Sequence, residues 1–195
     1  MSLISDLMSA IQILPGVGPK TAQRLTFHLL QKDQSGGKHL AETLLTAIEK
    51  VGECGTCRTL TENTECKICA NPNRSYNQVC VVETPADIIH LESATDFNGK
   101  YFVLHGKLSP IDGMGPADLK LDMLVNMLAQ PACEELIIAT GSTLEGETTA
   151  QYLAHIAEQG GIKATRLAHG VPLGGDLEYI DNSTLAHAFA SRTHL

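Results

Sequence analysis

Aromatic side chains are scarce in this chain: they make up 4% of its 195 residues, and tryptophan is missing altogether. A platform on which exposed nucleic-acid bases stack needs several ring faces, so that mode of binding has little material here. No uninterrupted apolar run approaches the ~18 residues of a membrane span. The stretch from Met1 to Leu14 has no Lys or Arg and carries Asp6, so it does not read as a secretory signal. His-Glu-x-x-His and Gly-x-Ser-x-Gly are both missing, which removes two common hydrolase signatures. Neither an internal repeat nor a low-complexity tract interrupts the chain. The expected compartment is therefore the cytoplasm, with no membrane partner.

Hydrophobic residues at 43% and charged residues at 18% give enough apolar side chain for a buried core in one or two domains. The formal charge of −8 argues against a nucleic-acid partner, but it is unevenly spread. Residues 1–80 hold 8 basic against 7 acidic side chains, and residues 81–195 hold 6 against 15. Any DNA contact must come from a local cluster, and residues 1–40, with a net of +2, are the place for it.

Leu3, Ile4, Leu7, Met8, Ile11 and Leu14 recur at helical spacing, which predicts an amphipathic helix over 3–14. Pro15-Gly16-Val17-Gly18-Pro19 breaks it, and Pro19 suits the first turn of a second helix reaching about Leu30, with Ala22, Leu25 and Leu29 inward. Ser35-Gly36-Gly37 reads as a linker. A third helix from about Lys38 then carries Leu40, Leu44, Leu45, Ile48 and Val51 on one face. Beyond residue 77 the pattern alternates. Strands are expected at 79–83, 101–104, 136–140 and 164–168, and helices at 85–93, 117–129, 146–159 and 182–192. Such interleaving predicts an α/β layer with a largely parallel sheet.

Six cysteines in a reducing compartment point to metal ligands rather than disulfides. Cys54-x-x-Cys57 and Cys66-x-x-Cys69, eight residues apart, have the spacing that folds four thiolates around Zn²⁺. Four protein ligands leave no open position, so one structural zinc per chain is expected, in preference to two disulfides, a redox pair or an iron–sulfur site. Cys80 and Cys133 lie outside the motif and read as buried small hydrophobes.

The glycines of Leu14-Pro-Gly16-Val-Gly18-Pro-Lys20-Thr-Ala-Gln-Arg24-Leu25 let the backbone turn tightly and approach a partner. The helix starting at Pro19 offers unpaired N–H groups and a positive dipole end, and Lys20 and Arg24 share one face there. This is the pattern of a helix–hairpin–helix motif suited to a DNA phosphate, and it carries no means of reading sequence. A Walker A reading fails, because Pro19 stands where that motif needs the glycine before its lysine. The competing bland reading is a helical hairpin with solvated cations.

Glu83 closes the first expected strand, and Glu145-Gly-Glu147 follows the third. Carboxylates at the carboxyl ends of parallel strands could hold Mg²⁺ for phosphoryl chemistry, or Glu145 and Glu147 could simply favour a helix start. His155, inside an expected helix, reads as a satisfied, partly buried ring. The glycine-rich stretches 108–116 and 169–179 look like specific loops of unassigned purpose.

The order of these features resembles the RecR family of bacterial recombination mediators over essentially the whole chain. The resemblance implies a helix–hairpin–helix unit at 1–53, a four-cysteine zinc finger at 54–69, a Toprim domain at 77–172 and a C-terminal segment for subunit contacts at 173–195. Toprim is the fold shared with topoisomerases and primases. The resemblance also implies a DNA-binding clamp, commonly a ring tetramer, active at gaps and single-/double-strand junctions near the nucleoid. Such a clamp works with RecO, and often RecF, to load RecA onto single-stranded DNA coated by single-strand binding protein. Catalytic Toprim relatives carry Asp-x-Asp before Glu-Gly-Glu; here those positions are Gly141 and Thr143, so Glu83, Glu145 and Glu147 imply a degenerate site and no enzyme. A Toprim nuclease or topoisomerase is the alternative, and a scaffold that never touches DNA is a third.

Overall fold

In the computed structural model, which describes residues 2–168, 171, 174 and 176–190, the chain forms two units, Met1–Val51 and Gly52–Leu195. The first is helical: α1 (Leu3–Ile11), α2 (Pro19–Gln31) and α3 (Gln34–Lys50). The apolar period predicts α1 to continue to Leu14, but it stops at Ile11. Pro15 disfavours helical geometry in the residue before it, and Leu14 instead bonds Ile11 in a turn (3.2 Å). Ala22 and Thr26 of α2 are buried, while Leu25 and Leu29 are half-buried.

The expected linker at Ser35-Gly36-Gly37 is the first turn of α3. Asp33 caps this turn, its Oδ1 accepting from the Gly36 N–H (2.8 Å) and the Ser35 hydroxyl (3.1 Å). A Cβ on Gly36 would fall 2.1 Å from Asp33 Oδ2, so this glycine makes room for the cap rather than breaking the helix. The stripe Leu40, Leu44, Leu45 and Ile48 does share a face of α3, and that face is exposed.

In the second unit a hairpin of β1 (Gly52–Glu53) and β2 (Leu60–Thr61) carries the cysteine segment. A four-stranded, wholly parallel sheet follows, built from β3 (Gln78–Val82), β4 (Lys100–Val103), β5 (Glu135–Ala139) and β6 (Lys163–Arg166) in the order β4-β3-β5-β6. Each strand begins one residue before its expected start. The helices α4 (Pro85–Ala94), α5 (Leu121–Leu128) and α6 (Leu144–Gln159) connect them, and a 3₁₀ turn (Leu177–Tyr179) and α7 (Asn182–Ala190) close the described chain. Parts of the 169–179 loop and of the C-terminal segment, residues 169, 170, 172, 173, 175 and 191–195, lie outside the described residues.

Alternate residues of the strands build two cores, as a period of two requires. Val79, Val81, Phe102, Leu136 and Ile138 meet Leu121, Leu124 and Leu128 of α5 and Ala150, Leu153 and Ala157 of α6. Cys80, Val82, Tyr101 and Val103 meet Ile88 of α4 on the other face. Cys80 is buried as expected, which pushes its thiol up to about 12, whereas Cys133 is only half-buried.

Two helices of the second unit start away from their expected positions. α5 starts at Leu121 rather than 117, because Lys120 adopts a left-handed φ of +51° and residues 115–119 form turns closed by the Gly115 N–H on Asp118 (2.8 Å). α6 starts two residues early, at Leu144, because Thr143 accepts from the Gly146 N–H (3.2 Å) and serves as its cap. His155 on α6 is exposed rather than partly buried; its side chain is 63% accessible, facing Glu158 at 4.0 Å. The helix turns it away from the core stripe of Leu153 and Ala157.

Arg74 and Tyr101 tie the loop before β3 to α4 through Glu92. Arg74 Nη1 donates to Glu92 Oε1 (3.0 Å), Arg74 Nη2 donates to Oε2, and the Tyr101 hydroxyl donates to Oε1 (2.8 Å). Burial alone would raise the Glu92 carboxyl, but these donors outweigh it and hold the group below its ordinary 4.5. A carboxylate depressed in this way stabilises the fold above its unfolded pKa, and that stability is lost as pH falls through the folded value. Glu92→Gln should therefore cost on the order of 1 kcal/mol at pH 7 and less near pH 3, the pair being partly solvated. Urea midpoints of both proteins at the two pH values check this; parallel losses would contradict it.

Candidate functional site

The cysteine segment is closed by main-chain bonds before any metal is considered. The Cys54 N–H donates to the Thr59 carbonyl (2.8 Å), the Arg58 N–H to the Cys54 carbonyl (2.9 Å) and the Ala70 N–H to the Cys66 carbonyl (2.9 Å). These turns bring Cys54, Cys57, Cys66 and Cys69 together, all four buried and free of disulfides, with their sulfurs within 4.8 Å of one another. Cys57 Sγ and Cys66 Sγ are 3.6 Å apart. Tetrahedral thiolates around an ion at ~2.3 Å would sit roughly 3.8 Å apart, so the spacing fits one ion. Among the described residues, this is the one group of His, Cys, Asp or Glu side chains placed to hold a metal.

The donors around the sulfurs suit thiolates as well. The Cys66 N–H points at Cys54 Sγ (3.3 Å) and the Cys69 N–H at Cys66 Sγ (3.4 Å). Burial opposes ionisation of Cys54, but neighbouring N–H groups outweigh it and bring the thiol down to about 7. Its hydrogen bond with Cys69, together with burial, pushes Cys57 far upward. Four thiolates in so small a space need a cation to neutralise them.

Buried cations anchor this module to the sheet, and the sequence reading missed them. Arg58 Nη1 donates to the carbonyls of Val103, Leu104 and Leu119 at 2.9–3.2 Å, and its Nε donates to Glu53 (3.1 Å). Lys100 is buried at the start of β4 and donates to the Cys69 carbonyl (2.9 Å), with its ammonium 4.7 Å from the Tyr76 ring centre. Neither cation belongs to a motif, and hydrophobic periodicity carries no signal for them.

The hairpin of the first unit has the geometry its composition suggests. Gly16 takes φ +80°, Gly18 is the extended residue before α2, and Pro19 opens the helix without an N–H to satisfy. Lys20 and Arg24 are exposed one turn apart, and Gly18, Pro19, Lys20 and Thr21 line a shallow depression at the helix start. Fixed N–H groups, the dipole and two cations therefore face solvent together.

The acidic residues sit at the carboxyl ends of the parallel strands, beside the point where the strand order reverses between β3 and β5. Glu83 follows β3; its Oε1 accepts from the Gly141 N–H (2.7 Å) and its Oε2 lies 3.3 Å from Lys107 Nζ. Lys107 also donates to the Thr143 hydroxyl (3.2 Å). Glu147 is bridged by both terminal nitrogens of Arg166 (2.5 and 2.6 Å). Glu145 is exposed in the first turn of α6. Thus Glu83 and Glu147 each meet a cation of the chain itself, and the three carboxylates do not converge on one point. Gly146 between the latter two is required by packing, since a Cβ there would lie 2.0 Å from the Gly141 carbonyl oxygen.

Removing one sulfur leaves three thiolates and an open position. Cys54→Ser or Cys66→Ser should abolish the cluster's capacity to hold a metal and cost about 3 kcal/mol or more in metal-treated protein, a fall in Tm on the order of 10 °C. Metal analysis together with thermal melting checks this; a full equivalent of metal with unchanged melting would refute it.

Comparison with known proteins agrees with this architecture. Residues 4–48 match the family model described as RecR, helix-hairpin-helix, residues 77–168 that of the Toprim domain, and residues 170–193 that of RecR, C-terminal. The recombination protein RecR of Xylella fastidiosa (strain Temecula1) is 53% identical over 193 residues, which is 99% of this chain and 98% of that protein. A four-cysteine cluster between a helical hairpin and a Toprim domain, with identity at this level over the full length, means that the chain belongs to the RecR family of recombination proteins.

Proposed function

We propose that this chain is a non-catalytic, DNA-binding clamp of recombinational repair. It acts with RecO and, where present, RecF to load RecA onto single-stranded DNA at gaps coated by single-strand binding protein. The observation that carries the reading is the hairpin: two glycines, a proline-started helix with outward N–H groups, and Lys20 and Arg24 on the same exposed turn. That set grips a phosphate and ignores base identity, as a clamp that works at any gap requires. Gly16 and Gly18 bring the backbone close, and Lys20 and Arg24 add charge.

In this reading the four thiolates hold one structural Zn²⁺, which the softness of sulfur favours over Mg²⁺ or Ca²⁺. The Toprim domain is a scaffold. Gly141 and Thr143 supply no carboxylate, and Lys107 and Arg166 occupy Glu83 and Glu147. Subunits join as a ring tetramer; an exposed stripe of Leu40, Leu44, Leu45 and Ile48 on α3, between 55% and 71% accessible in the single chain, supplies apolar surface for such contacts. A ring would gather several hairpins on one surface and so reconcile DNA binding with the charge of −8. No described helix is long and apolar enough to cross a membrane, and the clamp works in the cytoplasm at the nucleoid.

The test is binding to a labelled duplex with a single-stranded gap across a salt series, with and without RecO, comparing the wild type with a Lys20→Ala/Arg24→Ala double variant. For every phosphate that is no longer neutralised, the log–log salt slope should flatten by roughly 0.7 to 0.9, so the double variant binds more weakly and less steeply. Identical curves would make the hairpin structural and leave RecO to hold the DNA.

A further inference from the structure

Three residues other than glycine hold a left-handed backbone among the described residues: Arg58 (φ +65°), His105 (φ +58°) and Lys120 (φ +51°). They come from separate stretches of the chain, yet all three meet Glu53. Arg58 Nε lies 3.1 Å and Lys120 Nζ 3.4 Å from Glu53 Oε2, and His105 Nε2 lies 3.8 Å from Oε1. Such conformers persist only where the surroundings over-determine them, and they gather at switch regions more often than elsewhere.

What these residues surround is a loop and its two ends. Val103 and Leu104 lead into the 105–118 loop, and Leu119 leaves it. Arg58 Nη1 donates to all three carbonyls, at 3.1, 3.2 and 2.9 Å, and the His105 ring nitrogen stands 2.7 Å from the Arg58 carbonyl. One buried guanidinium thus ties both ends of the loop together, and it issues from the turn between Cys57 and Thr59. The middle of the loop has its own bonds: Ser109 and Met114 exchange main-chain bonds (3.1 and 2.9 Å), and the Leu108 N–H donates to the Thr149 hydroxyl (2.9 Å). Close to its first end the loop carries Lys107 to Glu83.

We infer that Arg58 is a clip through which metal occupancy of the cysteine cluster sets the conformation of the 105–118 loop, and with it the Lys107–Glu83 pair at the carboxyl end of the sheet. The inference rests on the reading that the cluster holds a metal. The left-handed turn at Arg58 is closed by the Cys54–Thr59 and Arg58–Cys54 main-chain bonds, which sit inside the ligand ring. With the ion gone, the four sulfurs lose the centre that holds the two Cys-x-x-Cys turns together, so that turn loosens and the guanidinium leaves its carbonyls. Buried carbonyls without a donor are costly, so the loop opens to find water. The coupling runs both ways: a partner that binds the ordered loop also tightens the metal.

The test is hydrogen exchange on the full-length protein, with zinc content measured for each sample. The samples are zinc-loaded wild type, chelator-stripped wild type and zinc-loaded Arg58→Met. Arg58→Met should keep one zinc and the protection of residues 60–70, while amides of 105–118 exchange roughly ten-fold faster or more, approaching the stripped wild type. A peptide from the C-terminal half of α6 should not change in Arg58→Met. If Arg58→Met does not retain zinc, Arg58→Lys, which keeps the charge beside Glu53, takes its place. Unchanged loop exchange in a zinc-loaded Arg58 variant, or in the wild type after stripping, overturns the clip alone. A wild type that folds without metal and takes up none overturns the metal reading and the clip together.

Discussion

A guanidinium with only 4% of its side chain accessible, pointing out of the cysteine turn into the Toprim domain, is the contact on which the second unit depends. Taking a cation out of water costs several kcal/mol, and the cost is offset only where fixed acceptors replace the solvent. Arg58 has Glu53, three carbonyls and the face of Phe102 at 5.8 Å. Lys100 repeats the device at the opposite end of the same strand, with the Cys69 carbonyl and the Tyr76 ring. Each Cys-x-x-Cys pair is thus coupled to β4 by its own buried cation. The Val103 N–H, which an edge strand would otherwise leave open, donates to the Cys57 carbonyl (2.9 Å). The cysteine module therefore covers the exposed edge of the sheet, and an uncovered edge is a site for unwanted strand pairing.

The same economy of cations shapes the other end of the strands. A parallel sheet leaves a crevice where its order reverses, and carboxylates placed there need a positive partner. In this chain the partner is covalently part of the protein. Lys107 lies between Glu83 and the cap of α6, and Arg166 grips Glu147 with both nitrogens. Gly146 lets the first turn of α6 pass within contact of Gly141, so the crevice is closed by main chain. An acidic pair at 141 and 143 would have turned this neutralised arrangement into an excess of negative charge. The Gly and Thr present there fit the resident cations.

Much of this was legible in the sequence. Apolar runs marked β3, β4 and β5 to within a residue or two, because a buried parallel strand is apolar on both faces, whereas β6, Lys-Ala-Thr-Arg at the sheet edge, is exposed to half-buried. Cysteine spacing alone picked out the four thiols that the fold brings within reach of one ion, since few chain geometries bring two such pairs together. The failures share a cause. Ser35-Gly36-Gly37 reads as a linker from propensity, but Asp33 converts it into a capped turn through an oxygen that propensity does not count. The first turn expected for α5 gives way to Lys120 in a left-handed conformation, which its partnership with Glu53 helps to hold. Arg58, Lys100, Lys107 and Arg166 gave no signal of their roles, because each meets partners far along the chain and such a relation leaves no local period.

Charge is where composition misleads most. A net of −8 describes the chain as a solute and governs how it repels its own kind, but a phosphate feels charge only within a Debye length, about 10 Å at 0.1 M salt. Next to the hairpin turn in sequence stand Lys20, Arg24 and the open N–H groups of α2. The acidic excess belongs to residues beyond 80, and part of it is already neutralised by Lys107, Arg74 and Arg166. Main-chain donors also differ from lysines in one respect: they are fixed by the fold and lose no side-chain freedom on binding. An interface built on them is small and modestly charged in one chain, and the proposed ring would present several of them to DNA together.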